Sequence, residues 1–400
     1  MKKDKLLFSI LIRIILSPLY LATFVVPKNN KIWIFGCRSG KYYKDNTKYL
    51  FEFVSKTSGY RAIWLTRNKN IFKKLNKQEK KCFYMYSVQG IYYSLIAKFI
   101  FISYSYDDVG YFSYLFPLKT KIVQLYHGTP LKRLEIEKNR SAIDKFFKFV
   151  LESYTGRKFD LMFSASEIAT QKFNKFFNEN KKKYIISGYP RNDAIFETNT
   201  SHFLENIGKK ITFKRVVFYL PTYREYPNDK SFNLFDRFGF SESRLDNVLK
   251  DNNAIFLIKL HPNEYEKSEY ILKKLSNSKR IIIVADEDIE SDIYPILSQT
   301  DVLITDYSSV YIDFLLRNRP IIFSAFDRKE YEGLDRGFYF DYDEITPGPK
   351  VDNWDDLCNV LEKTLQVDDY QDKRKQVNEI FNRYSDGKNS ERIFNYLKNR

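Results

Sequence analysis

The sequence predicts an α/β protein made of two doubly wound halves, and three observations carry that prediction. From Pro27 onward, short apolar runs, several of them β-branched or aromatic throughout, alternate with polar, helix-like stretches. That is the pattern of buried parallel strands joined by helical crossovers. The chain has 400 residues, 44% of them apolar, enough for two domains of about 100–200 residues with cores of their own. A polar stretch within residues 195–212 (ETNTSHFLENIGKK) interrupts the alternation and marks the expected join. The expected division is a hydrophobic helix over 1–28, a first domain over 29–205 and a second over 206–400.

Residues 6–26 read LLFSILIRIILSPLYLATFVV, preceded by Lys2, Lys3 and Lys5 and followed by Lys28 and Lys31. The run is about as long as a bilayer span, and it lacks the small-residue pattern of a cleaved signal. Arg13 near its centre would cost about 2.5–3.5 kcal/mol in a span. Ser9, Arg13 and Ser17 form one thin polar stripe at helical spacing, and Pro18 would kink the helix. The expectation is a helix lying in the membrane interface; a true span and a helix buried in a soluble core are the alternatives. Strands are expected at 31–35, 62–65, 82–86, 99–103, 121–126, 160–164 and 184–187 in the first half. In the second half they are expected at 215–220, 255–260, 280–284, 302–305 and 320–324. Residues 355–400 have the pattern of amphipathic helices.

Charge narrows the partners. The chain carries 66 Lys+Arg against 50 Asp+Glu, net +16. Residues 1–200 hold 36 basic and 15 acidic residues, whereas residues 201–400 hold 30 and 35, so the whole excess sits in the first half. Such a bias suits an anionic partner: membrane surface, acidic polymer or nucleic acid. The aromatic residues fall mostly inside strand patterns and no RNA-binding signature is present, so nucleic acid is not expected. Fourteen Gly and twelve Pro are too few for a fibrous or low-complexity chain. The three cysteines, Cys37, Cys82 and Cys358, have no CxxC spacing and fit a reducing compartment without a disulfide frame or zinc site.

Ligands of open α/β sheets bind beyond the carboxyl ends of the strands, which singles out particular polar residues. Of three histidines, His202 lies in the linker, but His127 follows one expected strand and His261 ends another. Ser164 and Ser166, Pro221-Thr222-Tyr223-Arg224, and Thr305-Asp306-Tyr307-Ser308-Ser309 also stand at strand ends. The last of these opens a helix, where backbone N–H groups, hydroxyls and the helix dipole favour a phosphate. Asp313 is one turn further along the same face, and Lys132, Arg224 and Lys259 are nearby cations. The ordinary alternatives are a loop histidine, a Ser/Asp N-cap and solvated surface charges. Gly188 to Asp193 (GYPRND) reads as a turn before the linker, with Arg191 close enough to the join to orient a ligand. There is no GxGxxG, Walker loop or GxSxG elbow, and the DxD-like strings at 286–288 and 341–343 are too common to define a metal site.

HGTPLKRL, SGYPRND, LPTYRE, IKLHP, TDYSSVYIDF and GFYFDYDEITPGP, in this order, resemble the CDP-glycerol glycerophosphotransferase family, the teichoic-acid and capsule polymerases and primases of bacteria. The resemblance covers roughly residues 120–385. It implies a GT-B-like fold, two Rossmann-like domains facing a cleft, at the cytoplasmic face of the membrane. It implies transfer of glycerol phosphate from CDP-glycerol to a hydroxyl of a lipid-linked anionic acceptor, with release of CMP. In that scheme His127 matches the general base, and His261 with Lys259 matches the group contacting the donor pyrophosphate. Ser308 and Ser309 match the donor-phosphate turn, and Asp313 an acidic residue near the donor glycerol. Pro221, Thr222 and Arg191 match further donor contacts, GFYFDYDEITPGP lies close to the nucleotide, and Gly128, Thr129, Lys132 and Arg224 complete the expected substrate-binding set. Residue chemistry agrees: hydroxyl attack at phosphorus needs a base near neutral pKa, cations or N–H groups on the phosphoryl oxygens, and two reactants held in line. Whether Mg²⁺ assists stays open, as does CDP-ribitol in place of CDP-glycerol. A GT-B glycosyltransferase using a nucleotide sugar is the nearest rival, and a non-catalytic membrane- or RNA-binding protein the remote one.

Overall fold

The computed structural model describes residues 23–110, 119–133, 159–177, 183–197, 201–224, 226, 232–275, 277–289, 292–334 and 337–400. The expected membrane-associated run, 6–26, therefore lies almost wholly outside the described residues. Among those described, no helix is long and apolar enough to cross a membrane.

Every expected strand forms. In the first half they are β1 (Asn29–Phe35), β2 (Arg61–Thr66), β3 (Cys82–Tyr84), β4 (Ala97–Ile102), β5 (Lys121–Gln124), β6 (Leu161–Ser164) and β7 (Tyr184–Ile186). In the second they are β8 (Arg215–Leu220), β9 (Ala254–Ile258), β10 (Ile281–Ile283), β11 (Val302–Thr305) and β12 (Ile321–Phe323). The first seven make one sheet in the order β3-β2-β1-β4-β5-β6-β7, and the last five another in the order β10-β9-β8-β11-β12. All pairings are parallel. Alternation splits each strand between two cores, as a two-residue side-chain period requires. On β1, Trp33 and Phe35 enter one cluster and Ile32 and Ile34 the other. On β8, Val217 and Tyr219 face one core, and Val216, Phe218 and Leu220 the other.

Several strands end earlier than their apolar runs. β5 stops at Gln124, whose side-chain oxygen accepts the Tyr126 N–H at 2.9 Å, and Tyr126 turns out of the ladder with φ 55°. This bend throws the next residue, His127, beyond the sheet. Four helices position the site or close the fold: α1 (Asp45–Ser55) after β1, α2 (Pro262–Lys267) after β9, α3 (Val310–Phe314) after β11, and α4 (Asn389–Leu397) near the end of the chain.

Strand order reverses between β1 and β4 in one sheet and between β8 and β11 in the other. Such switch points open crevices at the carboxyl ends of the strands. The halves meet through specific contacts. Leu131 and Arg133 pair in antiparallel fashion with the segment at Gly337–Tyr339: the Arg133 N–H donates to Gly337 O at 3.0 Å, and the Tyr339 N–H to Leu131 O at 2.8 Å. Lys48 is ion-paired with Asp292, and the Tyr49 hydroxyl donates to the same carboxylate at 2.8 Å. The stretch expected as a second unit, 206–400, ends in α4, which packs on the first sheet. There Ile393, Phe394 and Leu397 join Trp33 and Phe101 in one cluster. Asp193 caps α4, accepting from Asn389 N and Ser390 N at 2.8 Å each.

Candidate active site

A cleft of about 830 Å³ lies between the halves, lined by Tyr126 to Arg133 after β5, Leu220 to Arg224 after β8, Lys259 to His261 after β9 and Tyr307 to Val310 after β11. The expected residues His127, Gly128, Thr129, Lys132, Pro221, Thr222, Arg224, Lys259, His261, Ser308 and Ser309 all line it. Arg191 and Asp313 do not.

His127 sits between two aromatic rings, Tyr104 at 4.3 Å and Tyr126 at 4.2 Å between centroids, both nearly parallel to it. Its Nδ1 is 3.3 Å from Ser103 O. A carbonyl can only accept, so Nδ1 carries the proton and a neutral ring presents Nε2 as an acceptor. Burial lowers the pKa of His127 below the ordinary value; Asp45 opposes the shift, and Arg191 and Arg38 add to it. Gly128 follows with φ 129°. A Cβ there would stand 2.7 Å from Arg191 Nη2 and 3.1 Å from Ser309 Oγ, so only glycine lets this loop lie against both.

His261 has the opposite tautomer. As N-cap of α2 it accepts the Asn263 N–H on Nδ1 at 3.3 Å, which leaves the proton on Nε2 as a donor. Burial, then Arg38 and Lys259, lowers its pKa, so both imidazoles are held neutral near pH 7. Lys259 Nζ is 2.9 Å from Asp286 and also donates to Leu260 O at 3.2 Å.

The loops after β8 and β11 are locked by Asp306. The Thr222 N–H and hydroxyl donate to its Oδ1 at 3.0 and 2.6 Å. Arg224 was expected as a cation for the donor. It lines the cleft with its side chain buried between Asp306, at 2.7 Å, and Asp327, at 2.8 Å, and its guanidinium lies near the Tyr307 ring. Two carboxylates already compensate its charge, because an unpaired guanidinium at that depth would be costly. Ser308 accepts the Val310 N–H at 3.4 Å, while Ser309 at the N-cap of α3 makes no side-chain cap bond.

Arg191 and Asp313 stand behind the cleft wall. Arg191 bridges Asp45 at 2.9 Å and Asp313 at 2.7 Å and donates to the backbone carbonyl of His127 at 2.9 Å. Tyr294 donates to the same Asp313 oxygen at 2.7 Å. The pair thus ties α1, the His127 loop and α3 together. Sequence reasoning did not single out Asp45, Tyr104 or Arg38, which surround His127 from the first switch point. The signal was present in GCRSGKYYKDN directly after β1. Among the described residues, no group of three or more His, Cys, Asp or Glu side chains is placed to hold a metal ion.

Two parallel sheets with their carboxyl ends turned to one cleft, an acceptor imidazole on one wall and hydroxyls, a donor imidazole and a lysine on the other, define an α/β group-transfer enzyme for an anionic substrate. The family profile described as CDP-Glycerol:Poly(glycerophosphate) glycerophosphotransferase matches residues 19–399, and the chain belongs to that family. A teichoic acid poly(glycerol phosphate) polymerase of Bacillus spizizenii is 29% identical over 381 residues, covering 90% of this chain and 91% of its own. A teichoic acid glycerol-phosphate transferase of Staphylococcus aureus is 28% identical over 381 residues, covering 92% of each. In three dimensions the chain is similar to a variant of the wall teichoic acid polymerase TagF, with a TM-score of 0.73 at 23% identity and coverage of 99% and 97%. That likeness concerns the fold.

Proposed function

We propose that this CDP-glycerol-dependent transferase moves glycerol phosphate from CDP-glycerol to a terminal hydroxyl of a lipid-linked acceptor in teichoic acid synthesis, releasing CMP. The observation that carries the reading is the placement of His127. A neutral imidazole whose Nδ1 is occupied by Ser103 O faces, across the cleft, the Ser308-Ser309 turn of α3 and the His261–Lys259 pair. The acceptor hydroxyl gives its proton to His127 Nε2 as its oxygen attacks the glycerol-bearing phosphorus. The bond from that phosphorus to the bridging oxygen breaks, and CMP leaves with that oxygen. His261 Nε2–H, Lys259 and the start of α3 stabilise the charge on the phosphoryl oxygens. Gly128, Thr129 and Lys132 on one wall and Pro221 and Thr222 on the other hold the reactants in line. Arg191 and Asp313 act from behind by fixing the His127 loop, and Arg224 by fixing the Thr222 loop.

The arrangement belongs to the GT-B type, with units over 29–205 and 206–400 except that α4 returns to the first of them, and residues 6–26 dock it on the cytoplasmic membrane surface. The apolar run with basic flanks supports that placement. The decisive assay is CMP release from CDP-glycerol with a glycerol-phosphate acceptor. His127→Ala should lose at least about a hundredfold in turnover, the scale of a lost general base, while CDP-glycerol affinity stays within about twofold. Normal turnover by this variant would remove His127 from the reaction.

A further inference from the structure

The imidazole of His127 has an aromatic ring on each face, and the reaction above gives those rings no part. Tyr104 lies 7° from parallel with it at 4.3 Å between centroids, and Tyr126 21° from parallel at 4.2 Å. Two rings stacked at such distances would collide on one face, so they take opposite faces. One loop supplies two of the contacts: Ser103 O meets Nδ1 at 3.3 Å, and the next residue places its ring. Asp108 pins that loop, accepting from Ser103 N at 2.9 Å and Tyr104 N at 2.8 Å. The Tyr104 hydroxyl donates to Asp45 at 3.0 Å, and the Tyr126 ring packs edge-on against Phe173. A base that takes a proton becomes a cation. Nδ1 of His127 already carries one proton, so a second on Nε2 gives the ring a full positive charge. Among the described residues no carboxylate is ion-paired with that ring. Burial opposes the charge most; Asp45 and the Ser103 carbonyl favour it, and Arg191 and Arg38 oppose it. Arg38 also lies over the Tyr104 ring, 4.1 Å from its centroid. What touches the two faces of the imidazole is π-density, which attracts a cation far more than a neutral ring.

We propose that Tyr104 and Tyr126 stabilise the imidazolium that forms on His127 during transfer, the part a carboxylate on Nδ1 plays in a Ser-His-Asp site. The inference rests on His127 being the base of the transfer reaction proposed above. The acceptor O–H bond breaks, its proton goes to Nε2, and its electron pair forms the new bond to phosphorus. Charge on the ring rises from zero towards one between the two tyrosines. An interaction that is stronger with the cation than with the neutral ring lowers the barrier without tightening substrate binding. Tyr104 does not line the cleft; it acts through His127, as a positioning residue.

The test compares Tyr104→Phe with Tyr104→Leu in the full-length protein. Both lose the hydroxyl and its bond to Asp45, and only Tyr104→Phe keeps an aromatic face. The readout is the His127 pKa from nitrogen NMR of a chain with three histidines, its signal assigned by its loss in His127→Gln. That pKa should lie about one pH unit lower in Tyr104→Leu than in Tyr104→Phe, the scale of one desolvated cation–π contact. The acid limb of kcat/KM for CMP release should move with it. Turnover should be about three- to tenfold lower in Tyr104→Leu, with CDP-glycerol affinity equal in the two. Fluorinating the ring of Tyr104→Phe keeps its shape and drains its face, and should lower the His127 pKa in steps even if Tyr104→Leu does not fold. An equal pKa in the two variants, a higher one in Tyr104→Leu, or no response to fluorination would overturn the assignment. That outcome beside an inactive His127→Ala would leave the transfer reaction standing. Normal CMP release by His127→Ala would instead sink His127 as the base, and this assignment with it.

Discussion

His127 and His261 differ in what their Nδ1 atoms touch, and that difference sets their chemistry. A carbonyl on Nδ1 makes His127 an acceptor at Nε2; a backbone N–H on Nδ1 makes His261 a donor there. A base must be neutral, so activity falls as pH drops through its pKa. Burial places that pKa below the ordinary value, and the acid limb of kcat/KM should therefore inflect below about pH 6.5. A pH–rate profile in CMP release checks it, and an inflection above pH 7 would contradict the buried, stacked environment. Both histidines were legible from their positions after strands, but their tautomers were not, since Ser103 lies 24 residues from His127. Arg191 was legible as a polar residue near the join. Its partners Asp45 and Asp313, 146 and 122 residues away, belong to no local pattern, and so its place as a buried tie between them was not legible. The carboxylates around Arg224 were hidden for the same reason: only the fold brings Asp327 to it.

At the level of elements, the turn from β11 into α3 is where strand-end geometry meets the proposed donor-phosphate site. Ser309 makes no side-chain cap to the helix it begins and lies against Gly128 of the opposite wall. Replacing Ser308 and Ser309 together by alanine should weaken CDP-glycerol binding by about tenfold or more, with only a small loss of thermal stability, because Ser309 gives α3 no cap and the Ser308 bond to Val310 N is long at 3.4 Å. Titration calorimetry reads the first quantity and a melting curve the second; retained affinity would move the donor phosphates elsewhere. The strands themselves were readable because buried parallel strands need β-branched and aromatic residues on both faces, as in AIFLI of β9, where every residue is buried. Strand ends were less readable. Leu125 and Tyr126 continue the apolar run past β5, and only the Gln124 side-chain bond and the positive φ of Tyr126 show why the ladder stops.

Across the whole molecule the charge excess of the first half acquires a division of labour. In the proposed reading, basic residues at the amino-terminal segment suit anionic lipid, and the second half needs only local donors for the nucleotide. Deleting residues 1–27 should release the protein from anionic vesicles while leaving its melting temperature nearly unchanged, and co-sedimentation reads the outcome. Persistent binding would locate the membrane contact on another surface. Phe394 of α4 packs against Trp33 of β1 with ring centroids 5.4 Å apart, so Phe394→Ala should cost about 3 kcal/mol in denaturant unfolding of the first half. A loss under 1 kcal/mol would mean that α4 is dispensable to that core.

The return of α4 to the first sheet also has a temporal consequence. A chain emerging from the ribosome folds in order, amino-terminal units first, yet here the face of Trp33 and Phe101, covered in part by α1, is not closed until residues 389–397 have been made. Throughout synthesis of the second half, the first half is a half-finished domain with apolar side chains still open to solvent. Premature termination anywhere before α4 would therefore leave the first half without part of its core.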